Sequence, residues 1–308
     1  MAKQSREMAT QGSIRSECLM GIGYIERSTL QRILFTLTDE RLRRKVRDIN
    51  AYLQATHNNW NQTLIILLFR ILGGTQNREA MERLANTISY TILARESTSK
   101  LNLDALLLGS AGLLELYHED EYIARLKSEF THLATKYSIR PMAASEWQFN
   151  NIYPNNNPTL RLVQIAAMLN NNMITLASIT ACRSRRDVYR LFGGNISEYW
   201  INKISVESGY TNLSRRIGHF KCDILGINLV APIMCAYRNY TSSEFFDSNV
   251  WHLLMDIPSE ENIYTKLWHS YTPVATTALD SQALIQLSRE YCNMGFCHRC
   301  PLAPHTLK

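Results

Sequence analysis

Three cysteines within nine residues are the side chains of this sequence best suited to chemistry. Cys292, Cys297 and Cys300 form the pattern C-x4-C-x2-C, and Pro301 follows at once. A gap of two residues lets two thiolates reach the same ion from a tight turn, and a proline after the pair stiffens that turn. Three thiolates repel one another unless a cation removes the repulsion, and a metal would also hold the terminal segment in place. The pattern therefore predicts a metal or cluster site, against the alternative of three unrelated thiols.

Three thiolates leave one ligand position open, and several residues are candidates for it. His298 and His305 lie nearby and would complete a zinc site, whereas a fourth cysteine would allow either zinc or a [4Fe–4S] cluster. Cys222 and Cys235 lie in the apolar stretch "HFKCDILGINLVAPIMCAY", which is typical of a buried helix with core thiols. Cys18 lies in a polar segment, where packing in a core does not explain a thiol. Cys18 is therefore a candidate fourth ligand, which would join distant parts of the chain.

A second group of candidate functional residues is basic and aromatic. "NLSRRIGHFKCD" is a basic loop that leads into an apolar helix. With residues from the middle of the chain it predicts a groove for phosphates and stacked bases, lined by Arg140, Trp147, Arg161, Arg215, Arg216, His219, Lys221 and Asp223. Structural hydrogen bonding beneath the mid-chain loop is the alternative. A further basic run, Arg41, Arg43, Arg44, Lys45 and Arg47, is explained by a solvated helix face.

Composition and charge favour a soluble cytoplasmic protein. The chain has 308 residues, 45% hydrophobic and 19% charged, and a net charge of 33 − 27 = +6, which mildly favours acidic partners. Seven cysteines, an odd number, argue against a disulfide framework. The first residues, "MAKQSREMATQGS", lack a secretory signal, and the apolar run Leu64 to Phe69 is far shorter than the roughly twenty residues that span a bilayer. We expect no membrane contact. Triads of Ser, His and Asp, P-loops and dinucleotide fingerprints are not found.

Helical periodicity dominates the elements that must position these residues. In "TDERLRRKVRDINAYLQ" the apolar side chains fall on one face, and Asp39 is the expected N-cap. "NPTLRLVQIAAML" begins with Asn157 as a cap and Pro158 at the first helical position. The class is therefore all-α, a multi-helix globular domain with a Cys-rich C-terminal knuckle. We expect a flexible segment at 1–14 and one domain at 15–308, whose two lobes divide near a long ordered loop at 139–158.

Several stretches together resemble one known family. They are "ALLLGSAGLLE", "KYSIRPMAASEWQF", "NPTLRLVQIAAML", "RRIGHFKCDILGINLVAPIMCAY" and the segment from "LDSQALIQLSREYC" through the last cysteines. The combination resembles the bacterial domain of unknown function 2851 from about residue 15 onward. The resemblance implies the helical C-terminal part of that family, whose longer members have a strand-rich N-terminal half with nuclease-like acidic motifs. It also places Cys18 at a recurrent upstream cysteine and Cys292, Cys297 and Cys300 at a C-terminal cluster, which favours a four-cysteine site.

These observations lead to one functional expectation and two alternatives. The first is a helical module, non-catalytic by itself, that holds a structural zinc or [4Fe–4S] site and binds nucleic acid or a nuclease-like protein domain. The second is an enzyme with a site between the lobes near Arg161, Arg215, His219 and Asp223. The third is a plain scaffold with free thiols.

Overall fold

The structure is a computed structural model that describes residues 14–171, 174–242, 245, 247–270 and 274–307. The expected flexible segment 1–14 lies outside the described residues except for its last position. The α-helices of the described part are α1 Ser16–Gly21, α2 Arg27–Ala55, α3 Trp60–Leu72, α4 Arg78–Thr87, α5 Tyr90–Glu96, α6 Lys100–Ser110, α7 Glu121–Tyr137, α8 Pro158–Asn171, α9 Leu176–Thr180, α10 Arg185–Leu191, α11 Glu198–Ser208, α12 His219–Leu225, α13 Ala231–Ser242, α14 Ser248–Asp256, α15 Ile263–His269, α16 Ala278–Gln286 and α17 Ala303–Thr306.

The all-α prediction is confirmed. Within the described ranges no strand is present, and the β-pairing found there is a single antiparallel bridge between Pro258 and Thr277. Two helices, α12 and α16, continue into π-helical turns at Gly226–Val230 and Leu287–Cys292. These turns matter because π-helical turns often occur at functional sites, and the second of them ends on Cys292.

Side-chain caps explain where several helices begin. Asn157 accepts a hydrogen bond from the Leu160 amide at 3.2 Å, and Pro158 opens α8, as the sequence predicts. Asp120 caps α7 in the same way. The prediction that Asp39 is an N-cap was wrong, because α2 already begins at Arg27 and Asp39 pairs with Arg43 one turn further along this helix.

The described chain divides into two compact units. Unit 1 consists of residues up to Asn50, Arg183–Arg185 and Met234 onward, and unit 2 consists of Ala51–Cys182 and Arg186–Ile233. Unit 1 joins α2 to α16: the Thr38 hydroxyl donates to the Leu279 carbonyl at 2.8 Å. It thus assembles from segments that are remote in sequence. Unit 2 has its own core, in which Phe69 and Trp200 are fully buried.

The segment 139–158 is irregular, with 3-10 turns at Ala144–Glu146 and Pro154–Asn156. It lies entirely inside unit 2. Its backbone is held by side chains of the same unit: Asn77 donates to the Gln148 carbonyl at 2.9 Å and accepts from the Gln148 amide at 2.8 Å. The loop and the side chain that holds its backbone therefore belong to the same unit.

One helical segment, His219–Ser242, is long and apolar enough to cross a membrane by length and composition. However, 72% of its most apolar window is buried inside the protein. Such burial is typical of the central helix of a globular core.

Candidate metal centre and anion site

All four cysteines of the predicted site line one small cavity in unit 1. Cys18 comes from α1, Cys292 from the π-helical turn after α16, and Cys297 and Cys300 from the segment that leads to α17. The remaining wall is mainly apolar, with Trp268 and Leu287 among the lining side chains. The fold therefore brings together thiols that lie up to 282 residues apart in the chain, the difference between positions 18 and 300.

Short contacts hold the two terminal segments against each other beside this cavity. The Thr306 hydroxyl lies 3.3 Å from the Cys18 sulfur. A Cβ placed on Gly21 would meet the Thr306 Cγ2 at 3.1 Å, so α1 and α17 pack closely. Trp268, which also lines the cavity, donates its indole N–H to the Ser288 hydroxyl at 3.0 Å and so fixes the start of the π-helical turn. The cavity is thus built by packed elements rather than by a loose tail.

Electrostatics within the cavity keep at least two of the thiols protonated in the metal-free chain. Burial, followed by the neighbouring Cys300, Cys18 and Cys297, raises the pKa of Cys292 to about 12. Burial also raises the pKa of Cys300. A bound cation would reverse both effects, because metal ligation deprotonates a thiol outright.

The thiols do not form a ready site for a single ion. In the part of the chain that the structure describes, no group of three or more His, Cys, Asp or Glu side chains has the geometry to hold a metal ion. The local histidine candidates, His298 and His305, are exposed and do not line the cavity. Cys222 and Cys235 are buried elsewhere, and burial raises the pKa of each to about 12. Cys18 is therefore the candidate fourth ligand that shares the cavity.

Two cations of α2 contact Gln282 of α16, and the expectation of a solvated helix face was therefore wrong for Arg41. Arg41 is 8% exposed and donates to the Gln282 side-chain oxygen at 2.6 Å, and Lys45 donates to the same oxygen at 3.1 Å. Burial, then the charge of Arg41, lowers the pKa of Lys45 well below its usual range. The spacing of four residues on α2 was the available signal, since it places both cations on one face.

The residues of the second predicted site all lie in unit 2, but they do not form one group. Trp147 is 4% exposed and donates its indole N–H to the Ala111 carbonyl at 2.8 Å, so its ring is part of the core. Arg140 and Arg215 are exposed, and Arg215 pairs with Glu198. These three residues have no hydrogen bond or ion pair to one another in the described structure.

A tighter group forms around the start of α12. His219 stacks on Tyr189 with ring centroids 4.3 Å apart, and the Tyr189 hydroxyl donates to Asp223 at 2.9 Å. Lys221 is half-buried, and burial, then the charge of Arg161, lowers its pKa to about 8.

Arg161 is held by neutral partners. Its guanidinium donates to the Gln164 and Asn156 side-chain oxygens, each at 2.9 Å. Gln164 in turn donates to the carbonyls of Ser214 at 2.7 Å and Arg216 at 3.2 Å, which fixes the basic loop against α8. The Arg216 side chain is exposed. The backbone of the basic loop therefore lies against α8, the helix that carries Arg161.

Comparison with protein families decides the relationship of the chain. A family model described as "Protein of unknown function (DUF2851)" matches residues 2–263. The chain belongs to this family. The match covers most of the chain, and so is broader than the expected likeness to the C-terminal part alone. Cys18 lies inside the matched range, whereas Cys292, Cys297 and Cys300 lie beyond it. No curated protein and no solved structure matches the chain.

Proposed function

We propose that this DUF2851 chain is a helical module, non-catalytic by itself, that is held closed by a [4Fe–4S] cluster and binds nucleic acid. The observation that carries the metal proposal is the shared cavity of Cys18, Cys292, Cys297 and Cys300. A cavity lined by four thiols is difficult to explain by packing alone, because each thiol could be replaced there by a small apolar side chain at little cost.

An all-cysteine donor set fits a [4Fe–4S] cluster. Each thiolate of such a site binds a different iron, and four cysteines satisfy its full ligand count. Cys18, Cys292, Cys297 and Cys300 line one cavity and supply that number of thiols.

The role that follows for the metal is structural. A site with four protein ligands leaves no open position for substrate, and structural metal sites contribute on the order of 10 kcal/mol to folding. The cluster would join α1 to the segment after α16, and so close unit 1.

Metal analysis with a visible absorption spectrum on anaerobically purified protein tests this part. We expect a brown protein with iron and sulfide, and Cys300→Ser should lose the colour and melt at a lower temperature. Cys235→Ser is the matched control for the colour, since Cys235 is also buried in unit 1 but does not line the cavity. A colourless protein with one equivalent of zinc would reject the cluster and keep a structural metal. A protein without metal would reject the site.

The nucleic-acid part of the proposal is supported by charge. The chain carries a net charge of +6, and the basic loop that carries Arg216 lies against α8, the helix of Arg161, in unit 2. Because binding to phosphates releases counterions, the affinity for a single-stranded oligonucleotide should fall steeply with salt, with a slope of about −0.7 per phosphate contact. Fluorescence anisotropy at two salt concentrations measures this slope. Absence of binding at low salt would reject nucleic acid as the partner and favour a protein partner.

A further inference from the structure

Unit 2 contains a cavity of about 470 Å³ between the end of α6, helix α7 and the irregular segment 139–158. This volume falls within the roughly 300–1,000 Å³ of small-molecule sites, which are mostly apolar with a few polar groups. Phe130, Pro141 and Met142 are among its lining residues. Phe130 and Met142 are half-buried and Pro141 is exposed, so the cavity opens to solvent and offers apolar surface to a ligand.

Two glycines of the cavity bring its walls together. A Cβ on Gly109 would overlap the Phe130 ring, so this ring rests directly on the backbone of α6. A Cβ on Gly112 would overlap the Met142 carbonyl, and the Met142 amide donates to the Ser110 carbonyl at 2.8 Å. The walls are therefore held by close backbone packing and a backbone hydrogen bond. A preformed cavity of this kind lowers the entropic cost of binding a ligand.

The charged side chains at this cavity leave one negative charge uncompensated. Lys127 and Glu115 both line it, and the Lys127 ammonium lies 3.3 Å from the Glu115 carboxylate. The same ammonium lies 3.3 Å from the carboxylate of Glu119. One cation is thus shared by two carboxylates. Arg140, which precedes Pro141 in the chain, is exposed and is not among the described lining residues.

This charge arrangement selects the class of ligand. The Glu115 side chain is 75% exposed although it lines the cavity, so a ligand can reach its carboxylate. A ligand cation would be attracted by the uncompensated charge. A ligand carboxylate would instead be repelled by two carboxylates, and it could pair with Lys127 only by displacing one of them.

We propose that this cavity binds a small organic amine, whose apolar body packs against Phe130 and Met142 and whose ammonium pairs with Glu115. The site uses none of the cysteines of the proposed cluster and none of the residues of the basic loop. It is therefore a further binding function, and its test is independent of the cluster and of nucleic acid.

The test titrates the full chain with three probes that share an aromatic ring and a short chain but differ in their polar group. They are phenethylamine, phenethyl alcohol and phenylpropanoate. Ligand-observed NMR measures binding up to about 10 mM, the range expected of ligands this small. The amine should bind roughly ten-fold more tightly than the carboxylate, because one is attracted and the other repelled at a largely exposed position.

Two pairs of variants locate the site. Thr131→Trp adds bulk at an exposed position of α7 that lines the cavity, and should weaken amine binding roughly ten-fold or more. Thr135→Trp is its control, because Thr135 is exposed one turn further along α7 and does not line the cavity. Glu115→Gln should weaken amine binding roughly two- to five-fold, as expected for an exposed ion pair. Glu79→Gln, at an exposed carboxylate elsewhere in unit 2, should leave it unchanged.

Preferential binding of phenethylamine that Thr131→Trp and Glu115→Gln weaken, and that both controls preserve, supports the site. Equal binding of the three probes would overturn the assignment of an amine. Equal effects of Thr131→Trp and Thr135→Trp would show that the probe binds elsewhere and would reject the cavity as the site. An absence of amine binding throughout the titration would reject the proposal as well.

Discussion

Asp104 should make the stability of unit 2 fall as the pH rises. This residue of α6 is fully buried, and its Oδ2 accepts hydrogen bonds from the Trp200 indole at 2.9 Å and the Tyr122 hydroxyl at 3.3 Å. Its Oδ1 has no partner. Burial raises the pKa of Asp104 from 3.8 to about 6, against the opposing hydrogen bond from Trp200.

The sign and size of the effect follow from the difference between the pKa of Asp104 in the folded chain and its ordinary value. Between about pH 4 and pH 6 the folded chain keeps the proton that the unfolded chain releases, so the free energy of unfolding falls as the pH rises. The difference between 3.8 and about 6, at about 1.4 kcal/mol per pH unit, amounts to about 3 kcal/mol of lost stability at neutral pH. Above about pH 6 the loss is complete and becomes constant.

The variant Asp104→Asn isolates this contribution. It cannot ionise, so its stability relative to the wild type should rise by about 2 kcal/mol from about pH 4.5 to about pH 8. The constant cost of an unpaired amide N–H at the Oδ1 position does not affect this change with pH. Urea unfolding at several pH values provides the measurement.

Ser110→Ala is the matched control for this experiment. Ser110 is a buried residue of the same helix whose hydroxyl has no partner. Removal of this hydroxyl introduces no titratable group. The stability of Ser110→Ala should therefore change with pH in the same way as that of the wild type. A constant difference between Asp104→Asn and the wild type from acid to alkaline pH would refute the reasoning.

Two further predictions concern unit 2. Gly112→Ala should lower the free energy of unfolding in urea by about 2 kcal/mol or more, because Gly112 has φ +70° and a Cβ there would lie 2.2 Å from the Met142 carbonyl oxygen. Gly209→Ala is the control and should cost less, because Gly209 has a similar φ of +72° but no atom within 4 Å of the added Cβ. Burial opposes ionisation of Glu96, but hydrogen bonds led by that from Lys136 outweigh it and lower its pKa to about 2. Glu96→Gln should therefore lose about 1–2 kcal/mol at neutral pH, and thermal melts should show this deficit disappearing as the pH falls from about 4.5 to about 2.

Local features of the fold were predictable because they depend on neighbouring residues. The start of α8 needed only Asn157 and Pro158, and both act as expected. The start of α2 was not predictable from Asp39. This residue has the side chain of a typical N-cap, but it lies inside a helix of 29 residues and pairs with Arg43. Cap residues indicate helix starts only where tertiary packing does not extend the helix through them.

The sequence indicated the residue types of the candidate sites, but not how buried each side chain is or which groups it contacts. The cysteine spacing indicated Cys292, Cys297 and Cys300, and the polar surroundings indicated Cys18, which indeed lines the same cavity. By contrast, the sequence gives equal weight to Arg161 and Trp147. The bond from the Trp147 indole to the Ala111 carbonyl, which makes that ring part of the core, depends on segments that meet only in the folded chain.

The discontinuous make-up of unit 1 sets an order for folding on the ribosome. Thr38 and Leu279, which join α2 to α16, lie 241 residues apart. At about 5–20 residues per second, α2 waits roughly 12–50 seconds for this partner to be synthesised. Most of unit 2 is translated during that interval and contains the contacts for its own core. Because unit 1 closes last, the cavity lined by Cys18 and Cys300 forms only after residues 292–307 have been synthesised, and the metal proposed above would enter it after translation.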